Sequence, residues 1–339
     1  MYKRQELANE FSCRGYDISA IVFDSSLSEY KLNEKIHVEF LSSGEGIRAL
    51  IKRSRELQAK VKAINPEYII ELGFAERYMM LTRIHKKYKV ITSCRNDPAS
   101  YCTEGILNKL WKKQRDRYQK QVYKMVFQTE DAKQYFDIDI QKKSKVIANP
   151  IKENLPDRYT GKREHRIVAF SRLNKQKNIP LLLRAFADFS KLHDDYILDI
   201  YGRGEEMENL IYETKQLGLS NKVKFRGFCS NIHEKIRNAR MYVSSSDYEG
   251  ISNSMLEALA IGLPCICTDC PVGGAKMVIK NNINGILIPV GDQKALEQKM
   301  ILLAENDELI EKLSQNAVKI RTKLSISNIA DEWISFIEL

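Results

Sequence analysis

The chain has 339 residues, 43% of them hydrophobic and 29% charged, with a net charge of +10. That length is too great for one ordinary core, and that composition is globular rather than disordered or fibrous. No apolar run approaches the about 18–20 residues of a membrane-spanning helix, and no apolar segment follows Met1–Glu6, so neither a span nor a secretory leader is expected.

The seven cysteines are odd in number and scattered, which points to a reducing cytoplasm rather than a disulfide framework. Cys265, Cys267 and Cys270 are clustered, but they sit in an apolar run after Gly262-Leu263-Pro264 with no second Cys/His group nearby. They read as a buried strand, and no metal is expected.

From the N-terminus, Met1–Phe11 reads as a helix feeding a strand at Ile18–Phe23. A doubly wound domain ordinarily opens with a buried strand and a Gly-rich turn, so that first strand is expected to be missing here. A helical pattern covers Ile47–Ile64 and closes at Asn65-Pro66. Strands follow at Tyr68–Leu72 and Lys89–Ser93, with a helix over Arg77–Lys87 between them.

The segment Lys109–Lys120 carries six cations and one anion, interleaved with Trp111 and Tyr118. As a helix it places Leu107, Trp111, Tyr118 and Val122 toward one side. One reading is an interfacial helix on an anionic membrane; the other is a solvated basic face whose aromatics pack inward. No nucleic-acid motif accompanies the charge, so no nucleic-acid partner is expected. A strand at Met125–Gln128, a short helix over Thr129–Phe136 and a strand at Val146–Ala148 complete the first half. Asp137-Ile138-Asp139 resembles a metal-binding Asp-x-Asp but reads as solvated loop.

Residues 1–150 carry 28 Lys and Arg against 19 Asp and Glu, whereas the remainder is nearly neutral with 26 against 25. A polar linker, Pro150 to Arg163, separates two alternating series. In the second, strands at Ile167–Phe170, Tyr196–Tyr201, Val223–Arg226, Met241–Ser244 and Pro264–Thr268 alternate with helices at Ile179–Leu192, Glu205–Leu217, Ile232–Asn238 and Asn253–Ile261. The fold class is α/β: two doubly wound Rossmann-like domains, 1–150 and 151–324, with ligands in the cleft they face. A final helix over 325–339 is expected to pack back on the first domain.

Chemistry concentrates in the second series. Arg172 and Lys177 follow its first strand, where two cations can clamp a diphosphate. Gly202-Arg203-Gly204 follows the next strand as half a dinucleotide fingerprint, and Gly202 permits close backbone approach. Phe228 follows Arg226-Gly227 at a third strand end. Ser246 to Pro264 then places Glu249 before a small polar turn and Glu257 inside the helix it opens, an arrangement suited to a phosphate, a diol and a sugar together. The five histidines show no metal or triad spacing and read as surface or incidental.

Phe170-Ser171-Arg172-Leu173 with Lys177-Asn178, Tyr201-Gly202-Arg203-Gly204, Phe225-Arg226-Gly227-Phe228, and Glu249-x7-Glu257 with Gly262-Leu263-Pro264 occur in one fixed order. Thr268–Gly274, Asn284–Asp292, Asn149-Pro150-Ile151 and Ser93-x-Arg95-Asn96-Asp97-Pro98 accompany them. The order resembles the retaining GT-B glycosyltransferases of glycosyltransferase family 4. That resemblance implies a metal-independent enzyme without a cofactor, moving a hexosyl or N-acetylhexosaminyl unit from a nucleotide diphosphate sugar, UDP-linked by preference, to a lipid-linked saccharide. It implies action in bacterial surface-polysaccharide synthesis, at the anionic inner face of the cell membrane.

The resemblance also implies roles. Arg172 and Lys177 neutralise the departing diphosphate, and Glu249 bonds the donor sugar. Glu257 holds the ribose hydroxyls, and the backbone of Gly250, Ile251, Ser252 and Asn253 binds phosphate. Phe228 lies beside the base. The family's first-domain histidine is replaced by Cys94-Arg95-Asn96-Asp97, where Arg95 substitutes in part, and its Gly-rich turn has no counterpart. A nucleotide-sugar-binding protein of weak or no activity, and a nucleotide-sugar epimerase, are the alternatives.

Overall fold

The structure, a computed structural model, describes residues 2–23, 32–73, 75–101 and 106–339. The chain divides into two compact units, residues 1–150 with Ile326–Leu339, and Ile151–Ser325.

In the first unit a helix, Tyr2–Cys13, precedes strand β1 (Ser19–Val22), which pairs in parallel with β2 (His37–Phe40). The second of these strands, exposed at both ends, is not anticipated from the sequence. Four further strands, β3 (Tyr68–Glu71), β4 (Lys89–Cys94), β5 (Lys124–Phe127) and β6 (Ser144–Val146), form a parallel sheet in chain order. β4 and β5 are buried along most of their length (Val90, Ile91, Thr92, Ser93; Met125, Val126, Phe127), as expected of strands covered on both faces.

The basic segment lies on the helix Ile106–Gln121. Tyr118 is 2% exposed and bonds Thr92 Oγ1 through its hydroxyl at 3.1 Å; Val122, just beyond the helix, is 3% exposed. Their side faces the protein interior, while Leu110, Lys113, Gln114, Arg117 and Lys120 face water. At Tyr118 and Val122 the interfacial reading is therefore corrected, whereas Trp111 is half-buried with the Arg77 guanidinium 5.0 Å from its ring centre. Leu107 lies outside the residues whose side chains are described. Asp137 opens a short helix, Ile138–Lys142, and pairs with Lys120 at 2.6 Å, so the Asp-x-Asp stretch is helical rather than loop.

The C-terminal helix Ile326–Glu338 belongs to this first unit. Its buried face carries Ile329, Ala330, Trp333, Phe336 and Ile337. Arg14 bonds Asp331 and Ser327, Tyr16 donates to Glu338 at 2.8 Å, and Lys124 donates to the Phe336 carbonyl at 2.6 Å.

The second unit is built on six parallel strands: β7 (Glu164–Phe170), β8 (Ile197–Tyr201), β9 (Val223–Gly227), β10 (Ala239–Ser244), β11 (Cys265–Thr268) and β12 (Ile286–Ile288). Their spatial order is β12-β11-β10-β7-β8-β9. This is the doubly wound order, which reverses between its first and fourth strands. Ile167, Ala169, Leu198, Ile200, Met241 and Val243 form one core with the helices Ile179–Phe189 and Gln293–Glu305. Cys265 and Cys267 are buried inside β11 with Cys270 just beyond, and burial raises all three thiols. Among the described residues, no group of three or more His, Cys, Asp or Glu side chains is placed to hold a metal ion.

One carboxyl of the first unit carries a pH signature. Burial raises the pKa of Glu76, against a 3.0 Å hydrogen bond from Gln119 Nε2 that lowers it. An acid whose folded pKa exceeds its unfolded value contributes its full stabilisation below the ordinary carboxyl range and loses it as pH rises through the raised value. Glu76→Gln keeps the acceptor oxygen without the charge. It should raise the thermal midpoint by about 2–4 °C at pH 8 and leave it unchanged at pH 4. An equal shift at both pH values would refute the assignment.

Candidate functional site

In an open parallel sheet, ligands bind beyond the carboxyl ends of the strands at the point where strand order reverses. Here that point lies between β7 and β10, so the site must be built from the segments that leave Phe170 and Ser244.

After β7 the chain turns through Ser171-Arg172-Leu173. This loop lies directly on the segment after β8: Ser171 N–H donates to the Tyr201 carbonyl at 3.1 Å and Leu173 N–H to the Arg203 carbonyl at 2.9 Å. The two glycines make that approach possible. A Cβ on Gly202, whose φ is +138°, would stand 1.8 Å from the Ser171 carbonyl oxygen, and one on Gly204 would stand 2.0 Å from that of Leu173. The near neighbour of Gly202 is therefore protein backbone. Arg172 projects from this loop into solvent.

The chain then makes a 3-10 turn, Lys175–Lys177, and Asn178, in the left-handed region at φ 42°, starts the next helix; its Oδ1 accepts from Leu181 N–H at 3.3 Å. This turn is stitched to the exit of β10. Ser245 Oγ donates to the carbonyls of Lys177 and Asn178 at 3.0 and 2.9 Å, Asn178 Nδ2 to Asp247 Oδ1 at 2.6 Å, and Asp247 N–H to the Gln176 carbonyl at 2.9 Å.

The stitching carries Lys177 onto Glu249. Lys177 Nζ lies 2.5 Å from Glu249 Oε2, and Gln176 Nε2 donates to the same oxygen at 3.2 Å. The two side chains are 11% and 20% exposed, so the pair is largely withdrawn from solvent. The backbone of Glu249 is held as well, its N–H donating to the Pro271 carbonyl at 2.6 Å and its carbonyl accepting from Val272 N–H at 3.0 Å. Next, Gly250 packs on Gly274: a Cβ on Gly274 would fall 1.8 Å from the Gly250 carbonyl oxygen. Ser252 caps the helix Asn253–Ala260 through Met255 N–H. Gly250, Ile251 and Ser252 are buried and Asn253 is exposed.

Glu257, inside that helix, is 9% exposed, and its Oε2 lies 3.0 Å from His233 Nε2. His233, on the short helix Ile232–Ile236, is 8% exposed. The expectation that all five histidines are surface or incidental is corrected here, because His233 is buried against a candidate site carboxylate. Nothing in the spacing announces a pair formed by residues 24 apart on separate elements. Gln176 and Gly274 are likewise positions whose part is visible only in three dimensions.

Phe228 is 68% exposed, with the Arg203 guanidinium 5.9 Å from its ring. Beside it opens a cavity of about 570 Å3, lined by Tyr201, Arg226 and Cys229 and floored by the fully buried Asp199. Arg95 belongs to the first unit. It follows the carboxyl end of β4 and bonds Asn149 Oδ1, which also accepts from Gln128 Nε2 at 2.7 Å.

Residues 152–320, nearly all of the second unit, match the family model described as Glycosyl transferases group 1. This domain is thus a group 1 glycosyltransferase domain. The chain is 26% identical over 98% of its length, and 92% of the relative's, to a Campylobacter jejuni alpha-1,4-N-acetyl-D-galactosaminyltransferase named for an undecaprenol-diphosphate-linked saccharide. It is 30% identical over half its length to the Bacillus subtilis poly(glycerol-phosphate) alpha-glucosyltransferase, of which it spans a quarter. The crystal structure of Anabaena HepE in complex with UDP and glucose superposes over 99% of this chain and 95% of that one, with a TM-score of 0.82 at 17% identity. The fold is thus GT-B, with parallel sheets in two Rossmann-like domains.

The Lys177–Glu249 pair is testable by itself. Lys177→Met and Glu249→Gln should each cost about 1–3 kcal/mol in urea unfolding, and the double variant about 1–2 kcal/mol less than their sum. Additive losses would mean that the pair is not coupled.

Proposed function

We propose that this chain is a retaining, metal-independent glycosyltransferase that moves a hexosyl or N-acetylhexosaminyl unit from a UDP-sugar to a saccharide carried on a membrane lipid. The observation that carries the reading is the position of Glu249. It stands at the strand-order reversal, tied to Lys177, at the head of the turn that opens the Glu257 helix.

In this reading the backbone from Gly250 to Asn253 binds the diphosphate at the helix start. Arg172 and Lys177 place positive charge where the departing nucleoside diphosphate gathers negative charge. Glu249, oriented through Oε2, directs its other oxygen at the donor sugar. Glu257 receives the ribose diol, and Phe228 lies beside the base. The Campylobacter relative's name supports a lipid-linked acceptor, and the UDP and glucose bound by Anabaena HepE support the donor class. Transfer of radiolabelled sugar to membrane lipid should fall about 100-fold or more in Glu249→Ala. Equal transfer by both proteins would count against the reading.

A lipid-linked acceptor requires the protein to reach a membrane surface. No described helix is long and apolar enough to cross one. The surface contact in this reading lies at the first turns of the helix Gly46–Ile64. There Ile47 is 77% and Ile51 46% exposed, one turn apart, and Arg48, Lys52 and Arg55 are exposed beside them. Apolar side chains edged by cations suit an anionic leaflet. Binding to phosphatidylglycerol vesicles should drop about tenfold or more in the Ile47→Ser/Ile51→Ser variant. Unchanged binding would move the contact elsewhere.

A further inference from the structure

Glu257 does not stand alone in its pocket. Its Oε2 meets His233 Nε2 at 3.0 Å, and both side chains are about nine-tenths buried, at 11% and 10% exposure. An ionised carboxylate can only accept, so Nε2 carries the proton and donates it. One carboxylate oxygen is thereby fixed, and with it the direction of the other.

The imidazole is itself braced. Its ring meets Phe170 edge to face, at 6.4 Å and 88°, and Phe170 packs on Tyr242 at 5.0 Å. Phe170 is the last residue of β7, immediately before the Ser171-Arg172 loop, and Tyr242 lies in β10. The two strands that flank the order reversal therefore hold the ring that holds Glu257.

We propose that His233 is a positioning residue for Glu257, and that it sets the preference of this site for nucleoside diphosphates with an intact ribose diol over their 2′-deoxy counterparts. This rests on the donor reading above, in which Glu257 receives the ribose. A buried carboxylate that loses the His233 donor would turn toward another partner or take up a proton. Either change removes its use as a directed acceptor for two hydroxyls. The phosphate-binding turn is a separate structure, held by Pro271, Val272 and Gly274, so it survives the loss of His233.

The test compares UDP with 2′-deoxy-UDP by calorimetry on the full chain. His233→Phe retains a ring against Phe170 and removes the donor; His233→Gln retains an N–H. Wild type should bind UDP about tenfold or more tighter than 2′-deoxy-UDP, the scale of a hydrogen bond to a charged group. His233→Phe should weaken UDP about tenfold and change 2′-deoxy-UDP less than about threefold, and His233→Gln should restore most of the preference. A His233→Phe protein that keeps the full preference, or that weakens both nucleotides equally, would overturn the role of His233 while leaving the donor reading intact. Wild type that binds both nucleotides alike would overturn the ribose role of Glu257, and wild type that binds neither would overturn the donor reading together with this one.

Discussion

Glu249 is gripped from two directions. Its side chain is drawn toward the turn after β7 by Lys177 and Gln176, and its main chain forms two hydrogen bonds with Pro271 and Val272 beyond β11. A single residue after β10 thus ties the exits of three adjacent strands. The direction of the Glu257 helix depends on that tie, because the turn that opens it begins at the next residue and has room to pass only where Gly274 lacks a side chain. Removing Lys177 would leave a carboxylate with little solvent and one weaker donor, so the pair governs geometry more than it adds net stability.

The rest of the site obeys the same logic of backbone meeting backbone. Gly202 and Gly204 let the Arg172 loop lie flat on the chain after β8, and Ser245, Asn178 and Asp247 close the seam on the other side. A rigid frame of this kind leaves Arg172 and Asn253 at the surface, while Glu249 and Glu257 are set back, the Oε2 of each already engaged. Groups held in this way need little reorganisation when charge develops on a departing group.

Much of this was legible in the residues. Alternating apolar and amphipathic runs marked ten of the strands, and Glu249, Glu257, Arg172 and Lys177 stood out by type and spacing. The hidden parts have separate causes. β2 carries His37 and Glu39 in a four-residue strand, so its pattern is too short and polar to separate from loop. The inward face of Ile106–Gln121 could not be told from a membrane face, because burial against protein and burial in lipid select the same side chains. Gly202 read as room for a ligand, yet the room is filled by the Ser171 carbonyl. His233 read as incidental because its partner comes from another element, and no local period encodes such a meeting.

The C-terminal helix has a bearing on how the molecule is made. Residues 151–325 form a continuous unit, whereas the first unit is assembled from the two ends of the chain, with Trp333 of the last helix 1% exposed within it. During synthesis the second unit can close as soon as Ser325 has left the ribosome, while the first 150 residues still wait for the helix Ile326–Glu338. A nascent chain halted between Ser325 and Trp333 would therefore display one finished domain and one with an open apolar seam, a ready target for chaperones and proteases.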